Sequence, residues 1–338
     1  MTGVKTITVI AEDDGIRLDR WFKRHYPDVS HGRLEKLLRT GQVRIDGARA
    51  KAADRLNDGQ TIRVPPLDMP TRPDFVPQPK PERKISPADI AFVQSLVLLV
   101  TDDMIVINKP AGLAVQGGTG TSRHLDGLLD GLCYDRTSRP KLVHRLDKDT
   151  SGILVLGRDA RAADHLAKSF QSRRAEKIYW AVTAGVPRPH RGTIDMALAK
   201  LPGRGPDGAH ERVVPVEEDD EEAKRAITDY AVLAHAGKSA ALVALRPRTG
   251  RTHQLRAHMS AINCPILGDG KYGGAASRVD GATSSRLHLH ARALRLPAPD
   301  GRLVSIEAPP PAVFAQTLAF FGLDGAQDDP FTTFGDHD

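Results

Sequence analysis

A proline-rich stretch divides the chain into two parts. Eight of the 23 residues from Pro65 to Pro87 are proline, and no apolar periodicity survives there. Such a composition is typical of a stiff, extended linker. We therefore assign residues 1–66 to a small N-terminal unit, 67–87 to the linker, 88–322 to a larger domain, and 323–338 to an acidic tail that we expect to be disordered.

The length and composition are those of a soluble globular protein. The chain has 338 residues, of which 40% are apolar and 27% charged, so wholesale disorder is excluded. Its longest apolar run, Ile90 to Val100, falls short of the roughly 18 residues that a membrane-spanning helix needs. Met1 to Asp14 lack the pattern of a secretory signal. We expect a cytoplasmic protein without a membrane partner.

The distribution of charge indicates a class of partner, and the cysteine content excludes two classes of cross-linked fold. The net charge is +6, and the acidic residues are concentrated at Glu217–Glu222 and in the tail from Asp324 to Asp338. The remaining chain is therefore more basic than the total implies, which favours a polyanionic partner such as nucleic acid; ordinary solvated surface charge is the alternative. Cys133 and Cys264 have no nearby cysteine, which excludes a disulfide framework and a zinc ribbon.

The small unit is predicted to contain two amphipathic helices followed by short strands. The apolar face of the first helix consists of Leu18, Trp21, Phe22 and His25. Ser30 is a candidate N-cap of the second helix. The polar face of that second helix carries three cations at i, i+3 and i+6, namely Arg33, Lys36 and Arg39. A basic helix face of this kind suits phosphate groups.

The larger domain mixes predicted strands and helices. Ile178, Trp180 and Val182 alternate with their neighbours as in a half-buried strand, and Ala241–Leu245 forms a second strand. Two sets of residues have helical spacing: Ala163, Leu166, Ala167 and Phe170, and then Leu255, Met259 and Ile262. Because strict βαβ alternation is absent, we predict an α+β fold with a mixed, largely antiparallel sheet.

The densest cluster of reactive side chains is His144–Gly152, immediately before an apolar strand. Asp147 lies between the cations Arg145 and Lys148, which could hold it ionised as a nucleophile or a general base. A surface turn with local ion pairs has the same pattern. Asp147 and Asp149 together would also allow a hydrolytic glycosidase. A metal site is not predicted, because no third ligand follows at a recognised spacing.

Two sets of motifs resemble known families. Arg17–Phe22, Ser30–Gly41 and Leu56–Val64 resemble an S4-type RNA-binding domain, a small α/β unit. His144–Gly152 resembles the catalytic motif of the RluA-type family of RNA pseudouridine synthases. Further segments of that family stand in the expected order at Asn108–Gly112, Glu176–Tyr179, Arg248–His258, Pro265–Asp269 and Leu287–Ala291.

Within that family, Gly117–Gly120 is most similar to the large-subunit ribosomal subgroup designated C. The resemblance implies a pseudouridine synthase fold and the conversion of uridine to pseudouridine, with neither metal nor organic cofactor. Asp147 matches the essential aspartate, and Tyr179 the tyrosine that stacks under the target base. Arg256 matches the basic residue that pairs with the aspartate, with Arg251 as second choice.

The resemblance also implies how RNA is held. Arg145 matches the side chain that enters the helix stack when the uridine is flipped out, as it must be because the target atoms are inaccessible inside stacked RNA. The predicted RNA contacts are Arg145, Arg251, His144 and Thr150 in the larger domain, and Arg33, Lys36 and Arg39 in the small unit.

The combined prediction is a monomeric synthase acting on 23S ribosomal RNA, free or in an assembling large subunit. Four alternatives stay open: a synthase for transfer RNA, a synthase for a different ribosomal uridine, a non-catalytic RNA-binding ribosome-assembly factor, and a hydrolytic glycosidase.

Overall fold

The computed structural model places the chain in two compact units, Met1–Lys84 and Ile85–Asp338. It describes residues 3–10, 13–67, 85–117, 123–201, 212–217, 223–279, 285–324 and 331–334. Among these residues, each helix is too short or too polar to cross a membrane. Most of the predicted linker, of the acidic run, of the acidic tail and of the Gly117–Gly120 segment lies outside them.

Both ends of the predicted linker belong to folded structure. Leu67 is buried in the core of the small unit. At the other end, Pro87 is the first residue of a helix whose N-cap is Ser86. Proline is favoured at that first position because its missing N–H has no partner in a helix anyway. The folded units therefore extend into the predicted linker by one residue, Leu67, at one end and by three residues, Ile85–Pro87, at the other.

The small unit packs two helices against a four-stranded antiparallel sheet. The helices are α1 (Leu18–His25) and α2 (His31–Arg39). The strands are β1 (Lys5–Thr8), β2 (Arg44–Ile45), β3 (Ala48–Arg49) and β4 (Thr61–Val64), in the order β1-β4-β2-β3. The predicted apolar face of α1 is confirmed: three of its residues, Leu18, Trp21 and Phe22, are almost fully buried.

The second helix begins and faces solvent as predicted. The Ser30 hydroxyl accepts the Arg33 N–H at 3.3 Å, which confirms the N-cap. Leu34 and Leu38 are buried in the core. Arg33, Lys36 and Arg39 are all at least partly exposed, so they form one basic face, called here the α2 basic face.

The larger unit is built on one mixed sheet. Its helices are α3 (Pro87–Ser95), α4 (Ala160–Gln171), α5 (Gln254–Ala261) and α6 (Ala312–Phe320), with short 3₁₀ segments at Leu125–Leu132, Gly274–Ser277 and Thr332–Phe334. Its strands are β5 (Val97–Val100), β6 (Met104–Lys109), β7 (Lys141–Leu142), β8 (Ser151–Gly157), β9 (Glu176–Ala184), β10 (Arg191–Leu201), β11 (Arg212–Val216), β12 (Lys224–Ala236), β13 (Ala240–Pro247), β14 (Leu289–Pro297) and β15 (Leu303–Glu307). This confirms the predicted α+β class.

The order of the strands brings distant segments together. It is β11-β10-β12-β13-β9-β14-β8-β6-β5, with β15 paired to β14 and β7 to β8. Every described pairing is antiparallel except that of β8 with β14. All seven residues of β8 are buried, as expected of a central strand. The loop that precedes β8 thus ends at the middle of the sheet.

The parallel pairing of β8 and β14 fixes where the His144–Thr150 loop ends. Ser151 lies opposite His290, and its hydroxyl is 2.9 Å from His290 Nδ1. His290 Nε2 lies 3.1 Å from the Ala308 carbonyl, so Nε2 donates and Nδ1 accepts from Ser151. Burial lowers the pKa of His290 to about 4, which keeps the ring neutral. This buried chain of hydrogen bonds locks the start of β8.

Gly152 permits this close pairing. Its φ is +112°, and a Cβ added there would lie 2.3 Å from the Ala291 carbonyl oxygen. An alanine would therefore bring both backbone strain and a backbone clash.

Gly152→Ala should lower the free energy of unfolding by about 3 kcal/mol, measured by urea unfolding. Gly301→Ala is the matched control, because Gly301 has a similar positive φ of +84° but open space around its Cβ position. That control should lose only about 1 kcal/mol. Equal losses for the two variants would contradict the proposed clash.

Candidate active site

One pocket of about 350 Å³ collects every site residue predicted in the larger domain. The loop before β8 contributes His144, Arg145, Asp147 and Thr150; β9 contributes Tyr179; the segment from β13 into α5 contributes Arg251 and Arg256. These residues are up to 112 positions apart in the chain (256 − 144). The topology of the sheet therefore assembles the predicted residues into one site.

Asp147 lies in this pocket with its side chain about one quarter exposed. The Thr150 N–H donates to the Asp147 carbonyl at 3.1 Å, which closes the loop into a turn just before β8. Thr150 itself is buried and forms part of the pocket wall. Asp149, in contrast, is exposed and lines a neighbouring cavity that does not include Asp147. The two carboxylates thus face different spaces, which disfavours the paired-acid glycosidase.

His144 holds the loop to the scaffold. Its Nε2 accepts the N–H of Val155 in β8 at 2.9 Å, and its ring stacks on Phe170 of α4 with centroids 4.1 Å apart. Burial, together with the charge of Lys177, lowers the pKa of His144 to about 3, so the ring stays neutral and able to accept. Nε2 is thus bonded to the scaffold, and the contact of His144 with RNA stays a prediction.

Lys109 ties the same loop to the segment after β6. Its side chain is fully buried, and Nζ donates to the carbonyls of Pro110 and Leu113 at 2.9 Å and of Lys148 at 3.1 Å. Burial lowers the pKa of Lys109 to about 8, although the charges of Asp149 and Asp147 act in the opposite direction. The Lys148 carbonyl, one residue after Asp147, also accepts the Gly112 N–H at 2.8 Å. From the sequence, Asn108–Gly112 was identified only as a segment that resembles the family.

Tyr179 lies on β9 and lines the pocket beside Asp147. Burial and the nearby charge of Asp147 both raise the pKa of the Tyr179 phenol. The hydroxyl is therefore protonated at neutral pH, and its ring offers an apolar face in the pocket. That combination suits an aromatic base as a ligand.

The predicted direct pairing of Arg256 with Asp147 is wrong. The Arg256 guanidinium donates to both carboxylate oxygens of Asp269, with Nε···Oδ2 at 2.8 Å and Nη2···Oδ1 at 2.7 Å. Both side chains are almost completely buried. Burial disfavours the charged guanidinium, but the hydrogen bond and charge of Asp269 outweigh it and, with the charge of Asp147, raise the pKa of Arg256. Arg256 therefore acts on Asp147 through its field.

His253 brings an ionisable side chain close to Asp147. Its Nε2 lies 3.8 Å from Asp147 Oδ2. Its Nδ1 lies 2.9 Å from the hydroxyl of Tyr272. His253 was not among the predicted site residues; its place one residue before α5, in the motif that contains Arg251 and Arg256, is the signal that could have indicated it.

The two exposed arginines face the open side of the pocket. Arg145 is exposed on the loop before β8. Arg251 is also exposed, and its Nε donates to the Arg225 carbonyl at 3.2 Å. Both side chains are accessible to a ligand that enters the pocket. No cluster of three or more metal-ligating side chains occurs among the described residues.

Comparison with known proteins decides the family. The protein-family model described as RNA pseudouridylate synthase matches residues 103–261, a range that includes Asp147, Tyr179 and Arg256. The ribosomal large subunit pseudouridine synthase C of Rickettsia typhi is 33% identical over 310 residues, covering 89% of this chain and 96% of that protein. The chain belongs to the RNA pseudouridine synthases. It is an RluA-type member and an isomerase.

Other relatives of this pseudouridine synthase agree. The ribosomal large subunit pseudouridine synthase C of Yersinia pestis is 33% identical over 90% of this chain and 92% of its own length. Among solved structures, human RNA pseudouridylate synthase domain containing 4 has a TM-score of 0.58 and 31% identity, covering 70% of this chain and 97% of its own.

Lys109→Met should lower kcat by about 10- to 100-fold, because the Lys148 carbonyl loses its ammonium partner and the Asp147 loop loosens. The free energy of unfolding should fall by about 1 to 3 kcal/mol, because the carbonyls of Pro110, Leu113 and Lys148 lose a buried donor. The wild type should also lose kcat above about pH 8, where a neutral amine cannot donate three hydrogen bonds.

The pKa of Lys109 is lower in the folded protein than in the unfolded chain, so the unfolded chain binds more protons between about pH 8 and 10.5. The contribution of Lys109 to the free energy of unfolding therefore rises with pH over that window. Lys141→Met, at an exposed position outside the pocket, is the control. Unchanged kcat in Lys109→Met would contradict the role of Lys109.

Proposed function

We propose that this synthase converts specific uridines of 23S ribosomal RNA in the large ribosomal subunit. The observation that carries the proposal is the near full-length similarity to synthases named for the ribosomal large subunit, in two organisms. A pocket that gathers Asp147, Tyr179 and Arg256 supports a catalytic role over that of a non-catalytic assembly factor. The proposed substrate also makes the cytoplasm the proposed location.

The residues of the pocket are proposed to have different roles at one flipped nucleotide. A uridine must leave its stack for its glycosidic bond to be reached, and a pocket of this size suits a single nucleoside. Asp147 then attacks the sugar or assists cleavage of the bond between C1′ and N1. The freed uracil turns and bonds to C1′ through C5; C5 gives up its proton and N1 gains one, so the product is an isomer of uridine. Tyr179 supports the ring during this turn.

Two arginines of the pocket are proposed to contact the RNA around the flipped uridine. Arg145, exposed beside Asp147, fills the gap that the uridine leaves in the RNA stack. Arg251 contacts a phosphate near the target nucleotide. All of these residues line one pocket of one chain, so a single copy suffices for the reaction and we propose a monomer.

The small unit is proposed to be an S4-like RNA-binding domain. Its α2 basic face presents three cations from a helix that is fixed by its buried leucines and its Ser30 cap. Phosphate contacts of this kind add affinity and position without reading sequence. The small unit would thus contribute binding energy while the larger unit selects the uridine.

Cells that lack this protein should lose pseudouridine at specific positions of 23S ribosomal RNA and nowhere in transfer RNA. Chemical mapping of pseudouridines in total RNA measures this, with complementation by the wild-type chain as the control. Loss confined to transfer RNA would favour the alternative substrate. An unchanged map of all RNA would contradict both.

Replacing Arg33, Lys36 and Arg39 with Gln should weaken RNA binding and reduce the slope of log affinity against log salt by up to about 3, because each phosphate contact releases about one counterion. The matched control replaces three exposed lysines outside α2, Lys5, Lys23 and Lys51, which removes the same charge. Equal slopes for the two triple variants would show that the α2 basic face has no special role.

A further inference from the structure

Three side chains form a line that ends at Asp147. The Val213 N–H donates to the Tyr272 hydroxyl oxygen at 3.0 Å, and that hydroxyl lies 2.9 Å from His253 Nδ1. The opposite ring nitrogen, Nε2, lies 3.8 Å from Asp147 Oδ2. The line thus connects β11 to the reactive carboxylate through one imidazole ring.

The hydrogen bonds favour one position for the proton of the His253 ring. The Tyr272 oxygen already accepts from Val213, so its own hydrogen is available to His253 Nδ1. Nδ1 then accepts, and a neutral imidazole has its proton on Nε2. The donor side of the ring therefore faces Asp147.

Burial, more than the surrounding charges, favours the neutral form of His253. The residues that face it are Asp147 from the loop before β8, Arg256 from α5, and Asp269, Lys271 and Tyr272 from the segment after it. Burial lowers the pKa of His253, and the charges of Arg256 and Lys271 act in the same direction against those of Asp147 and Asp269. A neutral donor results at physiological pH.

The backbone holds His253 in a strained position. Its φ of +53° and ψ of +17° are left-handed, which is unusual for a residue with a side chain. Gln254 fixes the segment: its amide donates to the Ile227 carbonyl, and its Oε1 accepts the Arg251 N–H. Strain of this kind persists at functional sites where the surroundings enforce it.

We propose that His253 is a positioning residue for Asp147: its Nε2–H, presented by the Tyr272 hydroxyl, closes on Oδ2 when RNA fills the pocket and leaves the other carboxylate oxygen for the reacting nucleotide. This inference rests on the proposed role of Asp147. Catalytic hydrogen bonds are often long before substrate binds, and a gap of 3.8 Å closes with a small movement.

A neutral donor serves this role better than a charged one. An imidazolium would form a strong ion pair with Asp147 and reduce its reactivity toward the sugar. A neutral N–H orients the carboxylate and leaves its charge available. Protonation of His253 in acid should therefore slow the reaction.

The test compares His253→Gln, His253→Leu and Tyr272→Phe under single turnover. The substrate is total RNA labelled with [5-³H]uridine from cells that lack this protein, because tritium is released when C5 bonds to C1′. Gln keeps an N–H, Leu removes it, and Phe removes only the hydroxyl that sets the tautomer. His235→Leu, at an exposed position outside the pocket, is the control.

His253→Leu should lose about 10- to 100-fold in rate at saturating enzyme with half-saturation unchanged, as expected for a lost hydrogen bond to a charged group. His253→Gln should recover most of this loss and should no longer show the decline in rate that protonation of His253 causes in the wild type. Tyr272→Phe should lie between Leu and wild type.

Several results would overturn the inference. They are a His253→Leu rate within about twofold of wild type, a His253→Gln rate no better than Leu, or an effect on half-saturation alone. The Gln and Phe variants keep the test valid if the Leu variant does not fold. A wild type that releases no tritium would instead contradict the proposed function.

Discussion

A single buried ammonium group joins the two loops on which the active site depends. Lys109 is fully buried, yet Nζ meets three main-chain carbonyls, one of them that of Lys148. A buried charge is retained only where polar groups replace water. Two contacts therefore hold the loop that contains Asp147. Lys109 donates to the Lys148 carbonyl, and the His144 ring accepts the Val155 N–H. The Asp147 carboxylate is left accessible to substrate.

Arg256 forms its ion pair with Asp269 and not with Asp147. Asp269 takes both hydrogen bonds of the Arg256 guanidinium, although the charge of Asp147 still contributes to the raised pKa of Arg256. A bidentate pair with Asp147 itself would have occupied both oxygens of the reactive group. The arrangement with Asp269 supplies a positive field without that loss. The pairing with Arg256 also explains why Asp269 is deeply buried.

Local periodicity and short motifs made part of the structure predictable from the sequence. These are features that depend on near neighbours in the chain: the apolar face of α1, the Ser30 cap, the basic positions of α2 and the apolar run of β8. The gathering of Asp147, Tyr179 and Arg256 was predictable only through family resemblance. Contacts between distant segments were not predictable at all, because no spacing rule pairs Arg256 with Asp269 or aligns Ser151 with His290 across 139 positions. Burial of Lys109 was equally hidden, since a lysine in a turn motif normally faces water.

The Asp147 carboxylate, and not that of Asp149, is the group to which the reaction is assigned. Asp147→Asn and Asp149→Asn, both isosteric, should be compared for pseudouridine formation on RNA from cells lacking the protein. We predict that Asp147→Asn binds RNA within about threefold of wild type but forms pseudouridine only at background level, while Asp149→Asn keeps measurable turnover. Turnover by Asp147→Asn near the wild-type rate would contradict this assignment.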